Sequence, residues 1–150
     1  MFIEGIYETH IQVSDLQKAV AFYMDVLELK LAYYDKNRPI AFLWVGKDKK
    51  SMLGLWETKE ELQKRHFAFQ CSKSFILYTA AEILKDRGLK PYNFLKDGTE
   101  DPMVFAWMTA LAIYFDDPDG NQLEFIHVLE GEGRPELGVI GFAEWLKHAE

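Results

Sequence analysis

Residues 6–28 read IYETHIQVSDLQKAVAFYMDVLE, and within them the hydrophobic period changes. Over residues 6–13 apolar and polar side chains alternate, which predicts a strand with one apolar face and one mostly polar face. His10 lies on the polar face of this strand. Over residues 15–28 the apolar positions recur at helical spacing, which predicts an amphipathic helix. The stretch is therefore predicted to be a strand followed directly by a helix.

Local signals predict the start of this helix and the elements that follow it. Ser14, with Gln17 three residues later, predicts a capping box at the helix N-terminus. Beyond the helix, short β-prone runs are separated by turns that contain Asn, Gly or Pro. These runs predict three strands, over Lys30–Tyr34, Ile40–Val45 and 52–56.

The same order of signals begins again near residue 64. Residues 65–71 alternate, with His66 on the polar face, and residues 74–87 have helical spacing with Gly88 as a C-cap. Later in this half, Asp117-Pro118-Asp119-Gly120 has the composition of a type I turn. Three further strands are predicted, over 89–95, 108–115 and Gln122–Val128.

The two halves also align with each other residue by residue. One constant offset brings Leu43-Trp44-Val45 onto Ile113-Tyr114-Phe115 and, without a gap, brings Gly54 onto Glu124. At the other end of the halves, His10 matches His66. Two copies of a unit this long are typical of a duplicated half-domain and not of a solenoid.

These signals predict an α+β fold in which the order strand–helix–strand–strand–strand occurs twice. We expect one domain over residues 1–150, with module 1 at about 6–57, module 2 at about 64–128 and a C-terminal tail over 129–150. The βαβββ modules should form curved mixed sheets around a central cavity. A short amphipathic helix is expected near residues 142–147 of the tail.

Composition excludes several classes of function. The formal net charge is -7, and no cluster of Lys and Arg with interleaved aromatic residues is found, so no nucleic-acid partner is expected. No apolar run approaches the roughly 18 residues of a membrane span. Cys71 is the one cysteine, which excludes a disulfide framework and fits a cytoplasmic location. Cys71 lies on an apolar face and is expected to be a core thiol.

Three side chains could converge on the polar faces of the predicted sheets. His10 and His66 occupy equivalent places in equivalent strands, and Glu124 lies on the even-numbered face of the last strand. Two imidazoles and one carboxylate bind divalent metals such as Zn, Fe, Mn or Ni and leave coordination positions open. The alternative for each residue alone is an ordinary half-buried side chain.

Several motifs of this sequence resemble those of the vicinal oxygen chelate superfamily, which includes glyoxalases, bleomycin-resistance proteins and extradiol dioxygenases. They lie in order along residues 5 to about 128: Thr9-His10-Ile11-Gln12-Val13-Ser14-Asp15-Leu16, Ala19-Val20-Ala21-Phe22-Tyr23, Val26-Leu27-Glu28-Leu29, His66-Phe67-Ala68-Phe69, and Tyr114-Phe115-Asp116-Asp117-Pro118-Asp119-Gly120-Asn121-Gln122-Leu123-Glu124-Phe125.

The resemblance implies a metal-dependent lyase, isomerase or dioxygenase whose small substrate chelates the metal through vicinal oxygens. His10, His66 and Glu124 stand where the family places metal ligands, and a homodimer is expected. The alternative within the family is a metal-free protein of bleomycin-resistance type that sequesters a drug or another small molecule. The motifs do not separate these activities, because all members share them.

One departure from the family concerns glyoxalase I. That enzyme has a fourth ligand, a carboxylate, in the last strand of the first half, and the repeat alignment places Gly54 there. Glu57 is three residues further on and is expected on the opposite face of the strand or beyond its end. The three-ligand pattern is more similar to that of fosfomycin-resistance enzymes and extradiol dioxygenases.

Other residues on the same faces are candidates for chemistry or substrate contact. Tyr114 shares the face of Glu124, and these two are the candidate catalytic residues, whereas His127 falls on the opposite face. The candidate substrate-binding residues are polar or aromatic side chains of the predicted strands: Gln12, Gln70, Gln122, Trp44 and Trp56.

Overall fold

The computed structural model describes residues 1–149, which divide into two compact units. Unit 1 contains residues 1–65 together with the short loop Asp117–Asn121, and unit 2 contains His66–Asp116 and the chain from Gln122 onward. Both units carry a mixed sheet, of four and five strands respectively, as the α+β prediction requires. No helix among the described residues is long and apolar enough to cross a membrane.

Unit 1 follows the predicted order strand–helix–strand–strand–strand. A single turn of π-helix, Phe22–Val26, continues the first helix, and Glu28 then leaves the helical path with a φ of 60°. The predicted helix over 15–28 is therefore shorter than expected. The elements are β1 (Glu8–Val13), α1 (Leu16–Ala21), β2 (Lys30–Tyr34), β3 (Ile40–Val45) and β4 (Ser51–Glu57).

The sheet of unit 1 has the order β1-β4-β3-β2, with β1 parallel to β4 and the other pairs antiparallel. Ile11 and Val13 of β1 are buried on the face that α1 covers, as their alternation predicts. His10 pairs with Gly54 in the register and lies on the other face. The strand pattern therefore places His10 as the sequence indicates.

The predicted capping box at Ser14 is wrong. Asp15 is the N-cap, because its carboxylate accepts from the backbone N–H of Lys18. The N–H and hydroxyl of Ser14 instead donate to the carboxylate of Asp119, in the loop that joins unit 1 from far along the chain. The Asp119 carboxylate thus accepts from the Ser14 N–H in place of the Gln17 side chain, which would be the acceptor in a capping box. The turn that contains Asp119 has the predicted bond from Gly120 N–H to the carbonyl of Asp117.

Unit 2 repeats the order with two helices in place of one, because the predicted helix over 74–87 breaks at Thr79. Gly88 follows the second helix with a φ of 81°, as expected of a C-cap glycine. The elements are β5 (His66–Gln70), α2 (Lys73–Tyr78), α3 (Ala80–Asp86), β6 (Met103–Phe105), β7 (Ala110–Asp116) and β8 (Gln122–Val128).

The prediction of a strand over residues 89–95 is wrong. This segment makes only an isolated bridge between Tyr92 and Tyr114, and the strand paired with β7 is the later β6. Asn93 is fully buried, and its side-chain amide donates to acceptors in the following loop, including Asp97 and the carbonyl of Asp101. Side-chain bonds of this kind compete with a strand ladder.

The tail adds the fifth strand of unit 2. β9 (Val139–Gly141) pairs antiparallel with β6, so the sheet order is β5-β8-β7-β6-β9. The predicted helix follows as α4 (Phe142–His148), and its Trp145 is 3% exposed. The tail is therefore part of the packed structure of unit 2.

Candidate functional site

His66 and Glu124 form a close pair in unit 2. Parallel pairing of β5 with β8 aligns Ala68 with Glu124, and His66 lies two residues earlier on the same face. Nε2 of His66 is 3.1 Å from Oε2 of Glu124. The Glu124 side chain is 5% exposed, and its second oxygen, Oε1, is buried without a hydrogen-bond partner. A buried carboxylate oxygen in this state has unused capacity for a donor or a cation.

The proton positions on His66 follow from its partners. Nδ1 is 3.1 Å from the carbonyl oxygen of Gln122, and because a carbonyl only accepts, Nδ1 carries a proton. Nε2 is then the nitrogen that faces the carboxylate of Glu124. The Gln122 carbonyl orients the ring in the manner found behind metal-bound histidines.

Burial dominates the electrostatics around Glu124. It raises the pKa of the Glu124 carboxyl, while the charge of His66 and hydrogen bonds from His66 and Tyr114 act in the opposite direction. The pKa of Tyr114 is raised, first by burial and then by the charge of Glu124. The phenol of Tyr114 consequently stays protonated near neutral pH and is a donor toward the carboxylate.

A second layer of polar and aromatic groups supports Tyr114. The hydroxyl of Tyr92 donates to Asp116 at 2.6 Å and accepts from the Gln122 amide at 3.2 Å. The rings of Tyr92 and Tyr114 stack with centroids 5.8 Å apart. Burial and the bond to Asp116 raise the pKa of Tyr92 to about 12. Gln122 thus contacts this network, and its side chain is held by Tyr92.

Sequence reasoning missed Tyr92 and the aromatic residues beside it. Phe94 contacts Phe105 edge-to-face, with ring centroids 5.0 Å apart, and both lie within ring-contact distance of Tyr114. The wrong strand assignment over 89–95 concealed this cluster. No signal in the sequence indicates that Tyr92 bridges to Tyr114, since that pairing depends on the long-range fold.

His10 has a different set of partners in unit 1. Its Nδ1 accepts a hydrogen bond from the indole N–H of Trp56 at 2.5 Å, and its Nε2 lies 3.7 Å from a carboxylate oxygen of Glu8. The ring packs across Gly54, and Phe42 contacts it edge-on. Phe42, which the sequence analysis did not single out, is therefore a further aromatic residue on this face.

The donor chemistry of His66 and Glu124 fits a divalent cation. Glu124 offers a buried oxygen without a partner, and the ring of His66 is oriented with its Nε2 toward the same carboxylate. Among residues 1–149, no group of three or more His, Cys, Asp or Glu side chains capable of holding a metal is gathered. That His10 joins the other two ligands stays a prediction.

The family described as the Glyoxalase/Bleomycin resistance protein/Dioxygenase superfamily matches residues 5–125. The chain belongs to this superfamily. The resemblance drawn from the sequence motifs is thereby confirmed, and so is the predicted fold.

Several solved structures are similar to this chain. An integron cassette protein from the mobile metagenome of Halifax Harbour Sewage Outfall is 32% identical, with 83% of this chain and 99% of that chain covered and a TM-score of 0.71. A lactoylglutathione lyase from Agrobacterium tumefaciens is 20% identical (85% and 96% covered, TM-score 0.65), and the oxidase ChaP-H2 is 19% identical (89% and 100% covered, TM-score 0.66). The last two similarities are of fold alone.

The repeat alignment that places Gly54 at the position of Glu124 is wrong, because His10 pairs with Gly54 as His66 pairs with Gln122, and Glu124 lies two residues after Gln122. The residue equivalent to Glu124 in unit 1 is therefore Trp56, and neither Gly54 nor Trp56 carries a carboxylate.

Gly54 lies opposite His10, and a Cβ there would come within 3.0 Å of its ring. Glu57 lies on the other face of β4, where its carboxylate accepts from the backbone N–H of Leu16 at 2.8 Å. Glu57 therefore holds the first turn of α1 and is directed away from the face of His10.

The remaining candidate residues have mixed surroundings. Gln12, Trp56 and His10 line a cavity of ≈ 410 Å³ in unit 1, where the side-chain oxygen of Gln12 accepts from the N–H of Gln63. Trp44 is half-buried on β3, and its cross-strand partner Met52 shares the face of Gly54. Gln70 is exposed at the end of β5.

Proposed function

We propose that the protein is a metal-dependent enzyme acting on a small substrate that chelates the metal through vicinal oxygens. The observation that carries the proposal is the buried carboxylate of Glu124, which is paired with the exposed His66 and whose Oε1 has no hydrogen-bond partner. Burying a carboxylate in this way costs free energy unless a cation or a donor offsets it. A bound cation would supply that compensation.

His10, His66 and Glu124 would hold the ion. A divalent ion in such a set supplies Lewis-acid stabilisation of negative charge on a substrate oxygen. Zn, Fe, Mn and Ni all accept two imidazoles and a carboxylate. A lyase, an isomerase and a dioxygenase are all compatible with this ligand set.

The protein's own groups would bind and orient the substrate. Tyr114, protonated because burial raises its pKa, would donate to Glu124 or to a substrate oxygen beside it. Gln122, held by Tyr92, would offer polar contacts from β8. On the face of His10, Gln12, Trp44 and Trp56 would contribute substrate contacts, with Gln70 at the end of β5. We further propose that the protein functions as a homodimer in the cytoplasm.

The test is the metal content of protein purified without chelators or added metal. We expect close to one divalent ion per chain, a sharp fall in His66→Ala, and no change in His148→Ala, which removes a partly exposed ion pair with Glu144. Stoichiometric metal in the double variant His10→Ala/His66→Ala would refute the assignment. Light scattering on the same samples tests the dimer.

A second candidate function is metal-free sequestration of a small molecule. The partly exposed rings of Tyr92 and Phe94, which pack on the buried rings of Tyr114 and Phe105, favour it, because aromatic rings bind planar or cationic aromatic ligands. In that case the acidic net charge would attract a cationic ligand. Tight binding of such a ligand by metal-stripped protein would support this function over the first.

A further inference from the structure

The hydrogen bond between Trp56 and His10 has a consequence for metal binding. An indole N–H only donates, so Nδ1 of His10 must be the acceptor and carries no proton. In the neutral ring the proton is then on Nε2. The carboxylate of Glu8 lies 3.7 Å from Nε2, which favours a proton at that nitrogen. Both partners of the ring thus select the same tautomer.

Neither nitrogen of His10 is open to a metal in this arrangement. Nδ1 is occupied by the indole proton, and Nε2 carries its own proton. A ligand imidazole needs one bare nitrogen, with the other donating to a neighbour. Rotating the ring by half a turn does not help, because it would place a carbon atom against the indole N–H. Metal binding at His10 therefore requires the bond from Trp56 to break.

The surroundings of Trp56 strengthen this bond. The guanidinium of Arg38 lies over the indole, 5.7 Å from the ring centre, and a cation at that face makes the N–H a better donor. Arg38 is itself held by a 2.9 Å ion pair with Asp35. On the far side, Gly54 and Phe42 fix the plane of the His10 ring. Arg38 thus holds the indole of Trp56, while Gly54 and Phe42 hold the ring of His10.

We propose that Trp56 is a positioning residue that holds His10 away from metal ligation and so weakens the metal affinity of the site. This inference rests on the proposed metal-binding function. Trp56 does not contact the ion itself. The hydrogen bond from Trp56 and the metal ion compete for the same imidazole. Metal binding at His10 therefore has to compensate for the loss of that hydrogen bond.

The test compares Zn²⁺ affinity in wild-type protein, Trp56→Phe and Trp107→Phe. Phenylalanine keeps an aromatic ring against His10 but removes the N–H, so Trp56→Phe should bind Zn²⁺ roughly fivefold more tightly, the equivalent of one ordinary hydrogen bond. Trp107→Phe is the matched control, because Trp107 is 63% exposed and far along the chain in unit 2. Its affinity should equal that of the wild type.

An NMR readout does not depend on how Trp56→Phe folds. The indole N–H signal of Trp56 in proton–nitrogen NMR should shift when His10 is replaced by alanine in metal-free protein. In the wild type it should shift in the same direction as Zn²⁺ is added, while the Trp107 signal stays fixed. Equal or weaker Zn²⁺ binding by Trp56→Phe, with binding intact in the wild type, would overturn the inference alone. Absence of Zn²⁺ binding by every protein would overturn the proposed function and this inference together.

Discussion

Gly54 leaves the space that the imidazole of His10 occupies. A Cβ at Gly54 would lie 3.0 Å from Nδ1 and 3.1 Å from Cγ of His10, closer than side-chain atoms ordinarily approach. Since β1 and β4 pair in parallel with these two residues opposite each other, neither can move without disturbing the other. The absence of a side chain at residue 54 and the bond from Trp56 together determine where the ring lies.

The first prediction is an energetic coupling between these two residues. In a His10→Ala background, Gly54→Ala should stabilise the protein by about 0.5–1 kcal/mol, because alanine loses less backbone entropy than glycine in a strand. With His10 present, that gain should be cancelled by displacement of the ring and loss of its bond to Trp56, worth about 1 kcal/mol. Urea unfolding of the four proteins measures the coupling free energy. Strict additivity would show that the ring moves aside at no cost.

The second prediction concerns Glu57. Glu57→Ala should cost about 1 kcal/mol of stability, since the backbone N–H of Leu16 at the start of α1 loses its acceptor. Glu57→Gln keeps an acceptor oxygen and should be close to neutral. Metal affinity should be unchanged in both variants, because Glu57 lies on the face away from His10. Isothermal titration and denaturant unfolding make the two measurements.

The same variants test the departure from glyoxalase I. We expect little isomerisation of the glutathione hemithioacetal of methylglyoxal by the wild type, because neither Gly54 nor Trp56, the residue that the strand registers align with Glu124, carries a carboxylate. Robust turnover of that substrate, abolished in Glu57→Gln, would show that Glu57 serves as a ligand after all.

Elements set by local pattern could be predicted from the sequence. The strands β2, β3 and β8 have the predicted bounds, and His10, His66 and Glu124 each lie on strands as expected. Alternation fixes the face of a strand residue whatever the strand pairs with, which explains why these assignments are secure. The internal repeat then supplied the equivalence of the two histidines.

Elements set by distant partners could not be predicted. Ser14 fits a capping box, yet Asp119 takes its hydroxyl, and only the folded chain brings that carboxylate near. β9 is three residues long and exists because the edge of β6 is available to it. The bond from Trp56 to His10 depends on the register of β1 against β4, which the sequence does not specify. Contacts of this kind are decided by tertiary structure and not by propensity.

The third prediction concerns the tail. Trp145 is 3% exposed, and α4 packs against β6 and β9. Trp145→Ala should therefore destabilise the protein by about 3–5 kcal/mol, as expected for truncating a buried aromatic side chain. Trp107→Ala is the control, because that residue is 63% exposed and should change stability by no more than about 0.5 kcal/mol. Equal effects in urea unfolding would mean that the tail does not pack as described.

The fourth prediction is the pH dependence of Cys71. Burial raises the pKa of its thiol to about 11, so the folded protein binds the thiol proton more tightly than the unfolded chain does. Stability from this group is complete below the unfolded pKa of about 8.5 and is lost as pH rises toward 11. Alkylation by iodoacetamide should be slow at pH 8 and increase about tenfold per pH unit up to that value. A rate that levels off near pH 9 would contradict the burial.

The fifth prediction separates a catalytic metal site from a metal-free binding groove. If His66 and Glu124 hold an ion whose coordination sphere is partly open, a ligand with two neighbouring oxygens can place both donors on it. Catechols and hydroxamates should then bind metal-loaded protein and lose affinity once the metal is stripped. Binding of a large aromatic cation should depend on the rings around Tyr114 and on the acidic net charge, so both forms of the protein should bind it equally.

Titrating both probe types against loaded and stripped protein, with Glu124→Gln as the ligand-deficient control, distinguishes the two mechanisms. Chelating probes that bind without regard to metal, beside tight binding of the cation to both forms, would replace the enzyme proposal with sequestration.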